Sequence, residues 1–190
     1  PNGINIERFL EIDSQILQYM ENKKLLNVFP LLCSPVNILP RKNIEYSLEV
    51  VAHLRKTYPT LKYLITGKPS RHRDTEEYLY KIKSLIGQLN LRDTVLFLSD
   101  DLSDSLSDQE LHDIYSISDI ILYFSKSENF GIPILEATLT KNPIFVSDLA
   151  VFHEIAGSLL EYVDTTKVTP QETAEKITTY INTHPTIPLH

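Results

Sequence analysis

The chain has 190 residues, 42% of them hydrophobic and 23% charged, with a net charge of −7 at pH 7. That composition suits one well-cored globular domain and excludes an intrinsically disordered chain, a disulfide-stapled miniprotein and a general nucleic-acid or anionic-membrane binder. No apolar run approaches the roughly 20 residues that span a bilayer, and the single Cys33 lies in an apolar run, which points to an inert buried thiol and to reducing, cytoplasmic surroundings.

Pro1-Asn2-Gly3-Ile4-Asn5 are turn formers, and a short helix is expected around Asp13 to Glu21. Leu25 to Cys33 reads as a buried strand that Pro30 pushes towards a sheet edge or a bulge, because proline has no N–H for a ladder. The loop Pro35 to Asn43 carries the basic pair Arg41-Lys42. Asn43 is expected to cap a helix whose stripe is Ile44, Leu48, Val51, Ala52 and Leu54. Strand Leu61 to Thr66 leads through Gly67 into a basic loop, Lys68 to Arg73. A helix beginning at Asp74 or Thr75 then presents Tyr78, Ile82, Leu85 and Ile86, and strand Thr94 to Leu98 follows.

Ser99 to Ser107 is an acidic, serine-rich loop whose Asp100, Asp101 and Asp104 read as solvated charges, so no metal site is expected. Ser107 and Glu110 have the spacing of a capping box for a helix through Ile117. Strand Ile120 to Phe124 precedes a loop and a helix to about Leu139. Strand Ile144 to Ser147, one helical turn at Phe152 to Ala156, strand Leu159 to Val163 and a helix from Pro170 to Thr183 complete the chain. Strands and helices alternate throughout, which predicts an α/β domain: a Rossmann-like parallel sheet of about six strands with helices on both faces. No glycine-rich dinucleotide fingerprint or P-loop occurs, and the six histidines lack metal-ligand spacing; His153 alone falls near the expected crevice.

The chemistry concentrates in Ser127-Glu128-Asn129-Phe130-Gly131-Ile132-Pro133-Ile134-Leu135-Glu136-Ala137. Asn129, Gly131 and Pro133 demand a turn after the apolar strand, and Pro133 suits the first turn of a helix. Glu128 then sits in the loop and Glu136 one turn into the helix. Both can lean over the crevice at the carboxyl ends of the strands, where open α/β sheets bind ligands. The cationic pair Arg41-Lys42 belongs to the same end of the sheet and suits a diphosphate.

This stretch resembles the Glu-x7-Glu signature of the retaining family 4 glycosyltransferases of the GT-B fold, usually read as E-G-F-G-x-P-x-x-E-A, with Asn129 replacing the first glycine. The resemblance extends over nearly the whole chain. P-N-G-I-N with Phe9 is similar to the opening of the family's second domain, with Asn5 for its aspartate, and implies a cut piece whose N-terminal acceptor-binding domain is missing. It further implies a donor that is a UDP- or GDP-sugar, no cofactor, no metal, no nucleic-acid partner, and peripheral contact with the inner membrane face through the absent half.

By the same resemblance Glu128 and Lys42 are the residues nearest the reaction and Glu136 holds ribose. Phe130, Gly131 and Ile132 are further donor contacts, and Arg41, which the family motif does not match, is expected as one from its place beside Lys42 in the basic loop. Gly67 matches the glycine that approaches the nucleotide, and Phe97 lies in a strand similar to the V-x-F-x-G strand beside the base. One position departs: the family's phosphate-binding arginine is here Asn37, which brings no charge. A catalytically impaired nucleotide-sugar-binding or scaffold domain is therefore the alternative reading, and a sugar-phosphate epimerase of similar architecture a third.

Overall fold

The computed structural model describes residues 12–68, 73–102 and 106–184, with residues 73 and 74 through the backbone alone. The opening P-N-G-I-N segment, most of the basic loop before Arg73, and Asp104 lie outside these residues. Helix α1 (Ser14–Asn22) precedes strand β1 (Leu31–Ser34), and the chain then alternates: α2 (Ile44–Thr57), β2 (Lys62–Ile65), α3 (Arg73–Gln88), β3 (Val95–Phe97), α4 (Asp108–Ile117) and β4 (Ile120–Tyr123). Next come α5 (Ile132–Thr138), β5 (Ile144–Ser147), α6 (Ala150–Ala156), β6 (Glu161–Val163) and α7 (Pro170–Thr183).

The six strands form one sheet in the order β3-β2-β1-β4-β5-β6, with every pairing parallel. Every residue of β1, β4 and β5 is buried, as expected of strands covered on both faces. Helices α3 and α7 pack on α2, whereas α1 and α5 pack on α4 and α6 on α5. With right-handed crossovers these two groups cover opposite faces. The order reverses between β1 and β4, so the loops leaving those two strands diverge and open a crevice.

The expectation that Pro30 would send the first strand to an edge is overturned: β1 lies in the middle of the sheet. Pro30 stops one residue short of the strand, so no ladder N–H is missing, and its carbonyl still accepts from Lys62 N at 3.3 Å. Residues 25–27, expected as the start of that strand, form a 3₁₀ turn instead. The start of β1 is held by Asp119, whose carboxylate accepts from Leu31 N at 2.6 Å while its own N–H donates to Leu31 O at 2.8 Å. Cys33 is fully buried at the centre, and burial pushes its thiol up to about 12.

Local signals elsewhere hold closely. Ser107 and Glu110 form the reciprocal capping box, and Thr169 and Glu172 form a second one, with Pro170 at the first helical position. Asn43 departs from expectation. It takes the left-handed conformation at φ 52° and its side chain makes no cap hydrogen bond; Ile44 N is satisfied by Tyr78 OH at 3.1 Å. The segment at Phe152 is longer than one turn, because Ala150 and Val151 join the helix. Among the described residues no helix is long and apolar enough to cross a membrane.

Candidate functional site

The site is assembled from the loops that follow β1 and β4. Directly below it, Ser34 Oγ donates to Leu122 O at 2.6 Å and accepts from Tyr63 OH at 2.7 Å, which fixes three central strands relative to one another. Beyond Ser34 the chain crosses over Gly67. A side chain there would put a Cβ 2.6 Å from Asn37 Cα and closer still to the Val36 carbonyl, so only glycine permits this path. Ile38 N donates to Lys68 O at 3.0 Å, and Lys126 N donates to Arg41 O at 2.7 Å, joining the β1 loop to the loops after β2 and β4.

That framework aims two cations at one carboxylate. Lys42 Nζ and Arg41 Nη1 both pair with Glu128 Oε1, the Arg41 contact being 2.9 Å, and the same oxygen accepts from Ser125 Oγ at 3.0 Å and Tyr123 OH at 3.1 Å. Lys42 Nζ also donates to Tyr123 OH at 2.5 Å and lies 4.6 Å from the centre of that ring. The Lys42 and Glu128 side chains are each 7% exposed, while Arg41 at 47% reaches into solvent. Burial pushes the Lys42 ammonium below its ordinary pKa, against the pull of Glu128. Burial pushes the Glu128 carboxyl up, but Lys42, Ser125 and Arg41 together outweigh it and hold it below the usual carboxylate value.

Gly131 makes the turn into α5 at φ 71°, a conformation costly for any residue with a Cβ, and a Cβ there would also meet the Phe152 ring at 2.8 Å. Ile134 N and Leu135 N return to Gly131 O, and Pro133 has no N–H, so the turn presents the N–H groups of Gly131 and Ile132. One turn further on, Glu136 is exposed. Burial by its neighbours and the charge of Asp108 raise its carboxyl pKa, the opposite of Glu128.

These parts surround one cleft of about 560 Å³, the size of a small-molecule site. Asn37, Arg41 and Lys42 form one wall, Gly67 part of the floor, and Phe130, Gly131, Ile132 and Glu136 the other wall, with Glu128 between them. Phe97 is the exception among the residues expected here. It is the last residue of β3 and turned inward, 8% exposed, with Lys83 over its ring at 5.8 Å; Leu98 and Ser99, in the turn that follows, reach the cleft instead.

The sequence reading missed Tyr123, Leu106, Leu111 and Tyr115, all of which line the cleft. Tyr123 belongs to the apolar run of β4, where a core position is expected. The signal for Leu111 and Tyr115 was their place with Asp108 on one face of α4, spaced three and four apart. His153 does not line the cleft: it pairs with Asp148 at 2.6 Å and stacks on Tyr162 at 3.9 Å.

Residues 18–186 match the model of the family described as Glycosyl transferases group 1. Over 88 residues, 46% of this chain and 24% of the relative, the sequence is 35% identical to the O-antigen chain mannosyltransferase RfbU of Salmonella typhimurium. Over 52 residues, 27% of this chain and 6% of the relative, it is 38% identical to the serotype-specific mannosyltransferase WbdA of Escherichia coli. In fold it is similar to a glycosyltransferase from Rickettsia africae, with TM-score 0.72, 21% identity, and coverage of 95% of this chain and 45% of that one. It is also similar to Anabaena Alr3699/HepE in complex with UDP and glucose, with TM-score 0.68, 18% identity, and coverage of 89% and 43%. The chain thus spans less than half the length of these solved relatives and matches about a quarter of the Salmonella protein.

Proposed function

The chain belongs to the group 1 glycosyl transferases, and from that premise we propose that it is the donor-binding half of a two-domain enzyme. That enzyme would move a hexose from a UDP- or GDP-sugar to an acceptor held by the other half, with retention at the anomeric carbon and without a metal ion. The observation that carries this reading is the meeting of Lys42, Arg41, Glu128 and Glu136 around one cleft at the reversal of strand order.

In this reaction the anomeric C–O bond to the diphosphate breaks and its electron pair leaves with the phosphate. The acceptor oxygen forms the new bond, and its proton passes to the departing phosphate oxygen. The Lys42 ammonium and Arg41 guanidinium neutralise the charge that gathers on the leaving group, the service a divalent metal performs elsewhere. Asn37 lines the same wall and can only hydrogen-bond a phosphate, so Arg41 supplies the second cation. Glu128 Oε1 is already wrapped by four donors and held below the usual carboxylate pKa, which makes it a poor nucleophile and base. Its role is electrostatic, towards sugar hydroxyls and the positive charge developing at the anomeric carbon. Glu136 is the ribose carboxylate.

Titration of UDP, GDP and their hexose conjugates against the wild type and Glu136→Ala tests the reading. Micromolar to millimolar binding that Glu136→Ala weakens about tenfold supports it. Failure of every nucleotide to bind removes it.

A further inference from the structure

Tyr115, on α4, is 2% exposed overall and lines the same cleft as Glu136, and among the described residues its hydroxyl makes no hydrogen bond. Burial and the charge of Glu136 raise its pKa, so the phenol stays protonated and its O–H remains a donor in search of an acceptor. The ring is packed in the core and the side of Tyr115 left open is the ligand space, so a bound ligand can supply the partner its hydroxyl lacks. Helix α4 packs on α5, so Tyr115 and Leu111 of the one and Glu136 of the other line adjoining parts of the cleft. Leu111 and Leu106 make the rest of that corner apolar.

A corner with one carboxylate acceptor and one phenol donor matches a vicinal diol. Two hydroxyl groups can donate to the carboxylate, and each still has lone pairs on its oxygen, one of which can accept from the phenol. A single hydroxyl would leave one of the two protein groups poorly used. We propose that Tyr115 is a further donor-contacting residue whose hydroxyl, with the Glu136 carboxylate, grips the ribose cis-diol of the nucleotide and selects ribonucleotides over 2′-deoxyribonucleotides. This rests on the nucleotide-sugar reading above.

The test is the affinity of UDP, GDP, 2′-deoxy-UDP and 2′-deoxy-GDP for the 190-residue chain and for Tyr115→Phe, which removes one oxygen and keeps the ring packing. The wild type should prefer the ribo form. Tyr115→Phe should weaken the ribo form about tenfold and the deoxy form much less, so the preference shrinks, while the melting temperature stays or rises. An equal weakening of both forms would mark a structural effect and overturn the inference, as would unchanged affinities. Wild type that binds neither UDP nor GDP would remove the nucleotide reading and this inference with it, whereas ribo-binding wild type with an unchanged ratio in Tyr115→Phe removes the inference alone.

Discussion

Replacing Lys42 by Met keeps the aliphatic stem and deletes the ammonium, so it separates what the charge does for a ligand from what it does for the fold. A charge-assisted hydrogen bond to a diphosphate contributes about 1.5–3 kcal/mol. Without ligand the ammonium already pairs with Glu128, so part of that is spent in re-partnering, and the lower half of the range applies. The expected loss is about 10–30-fold in Kd for a UDP- or GDP-hexose. The cost to the fold should be small. Glu128 keeps Arg41, Ser125 and Tyr123 as donors, and burial already disfavours the ammonium, as its lowered pKa records. A change within about 1 kcal/mol corresponds to about 2–4 °C in Tm for a chain of this size. Calorimetric titration and a thermal melt on the same sample read both quantities. A Tm drop beyond about 10 °C would show Lys42 to be a structural counter-ion to Glu128. A Kd change under about threefold with the fold intact would show that the diphosphate goes elsewhere.

Glu136 has a raised carboxyl pKa, so it protonates earlier on acidification than an ordinary carboxylate of 4.5, and a protonated carboxyl accepts ribose hydroxyls poorly. UDP-hexose, whose phosphates do not titrate in this range, should lose affinity as pH falls towards that raised value; Glu136→Gln should bind weakly and without the pH step, and an identical step in the variant would assign the titration to another group. For Glu128 the sign is opposite: its lowered pKa gives the folded state stability present above about 4.5 and lost as pH falls through the lower folded value, so the acid-side loss of Tm should be smaller in Glu128→Gln. Gly67→Ala drives a methyl into the Val36–Asn37 backbone and should cost about 2 kcal/mol or more together with most nucleotide binding; a normal melt would mean the β1 loop relocates freely. Asn37→Arg should alter donor affinity by less than about threefold because Arg41 already supplies the second cation; a gain above about tenfold would show that charge to be missing.

Much of the fold is written locally. The capping box at Ser107 and Glu110, the Pro170 helix start and the apolar run Ile120 to Tyr123 each act within one or two turns of chain, so residue spacing reveals them. The turn at Gly131 and the helix carrying Glu136 are legible for the same reason. Pro30 shows the limit: a proline's effect on a strand depends on whether its missing N–H falls inside the ladder, and ladder register is set by partners far along the chain.

Hydrophobic periodicity and turn chemistry are short-range, so the alternation of strands and helices, the Glu128–Glu136 segment and its position at the end of a buried strand can be read from the chain alone. That Lys42 and Glu128, separated by 86 positions, share a hydrogen bond follows from the packed fold and from nothing local. The same holds for the four donors that converge on one carboxylate oxygen and for Tyr115, which lines the cleft while Phe97 does not. Those outcomes depend on which strands are neighbours and how deeply each side chain is desolvated, and both are properties of the packed sheet rather than of any stretch of chain.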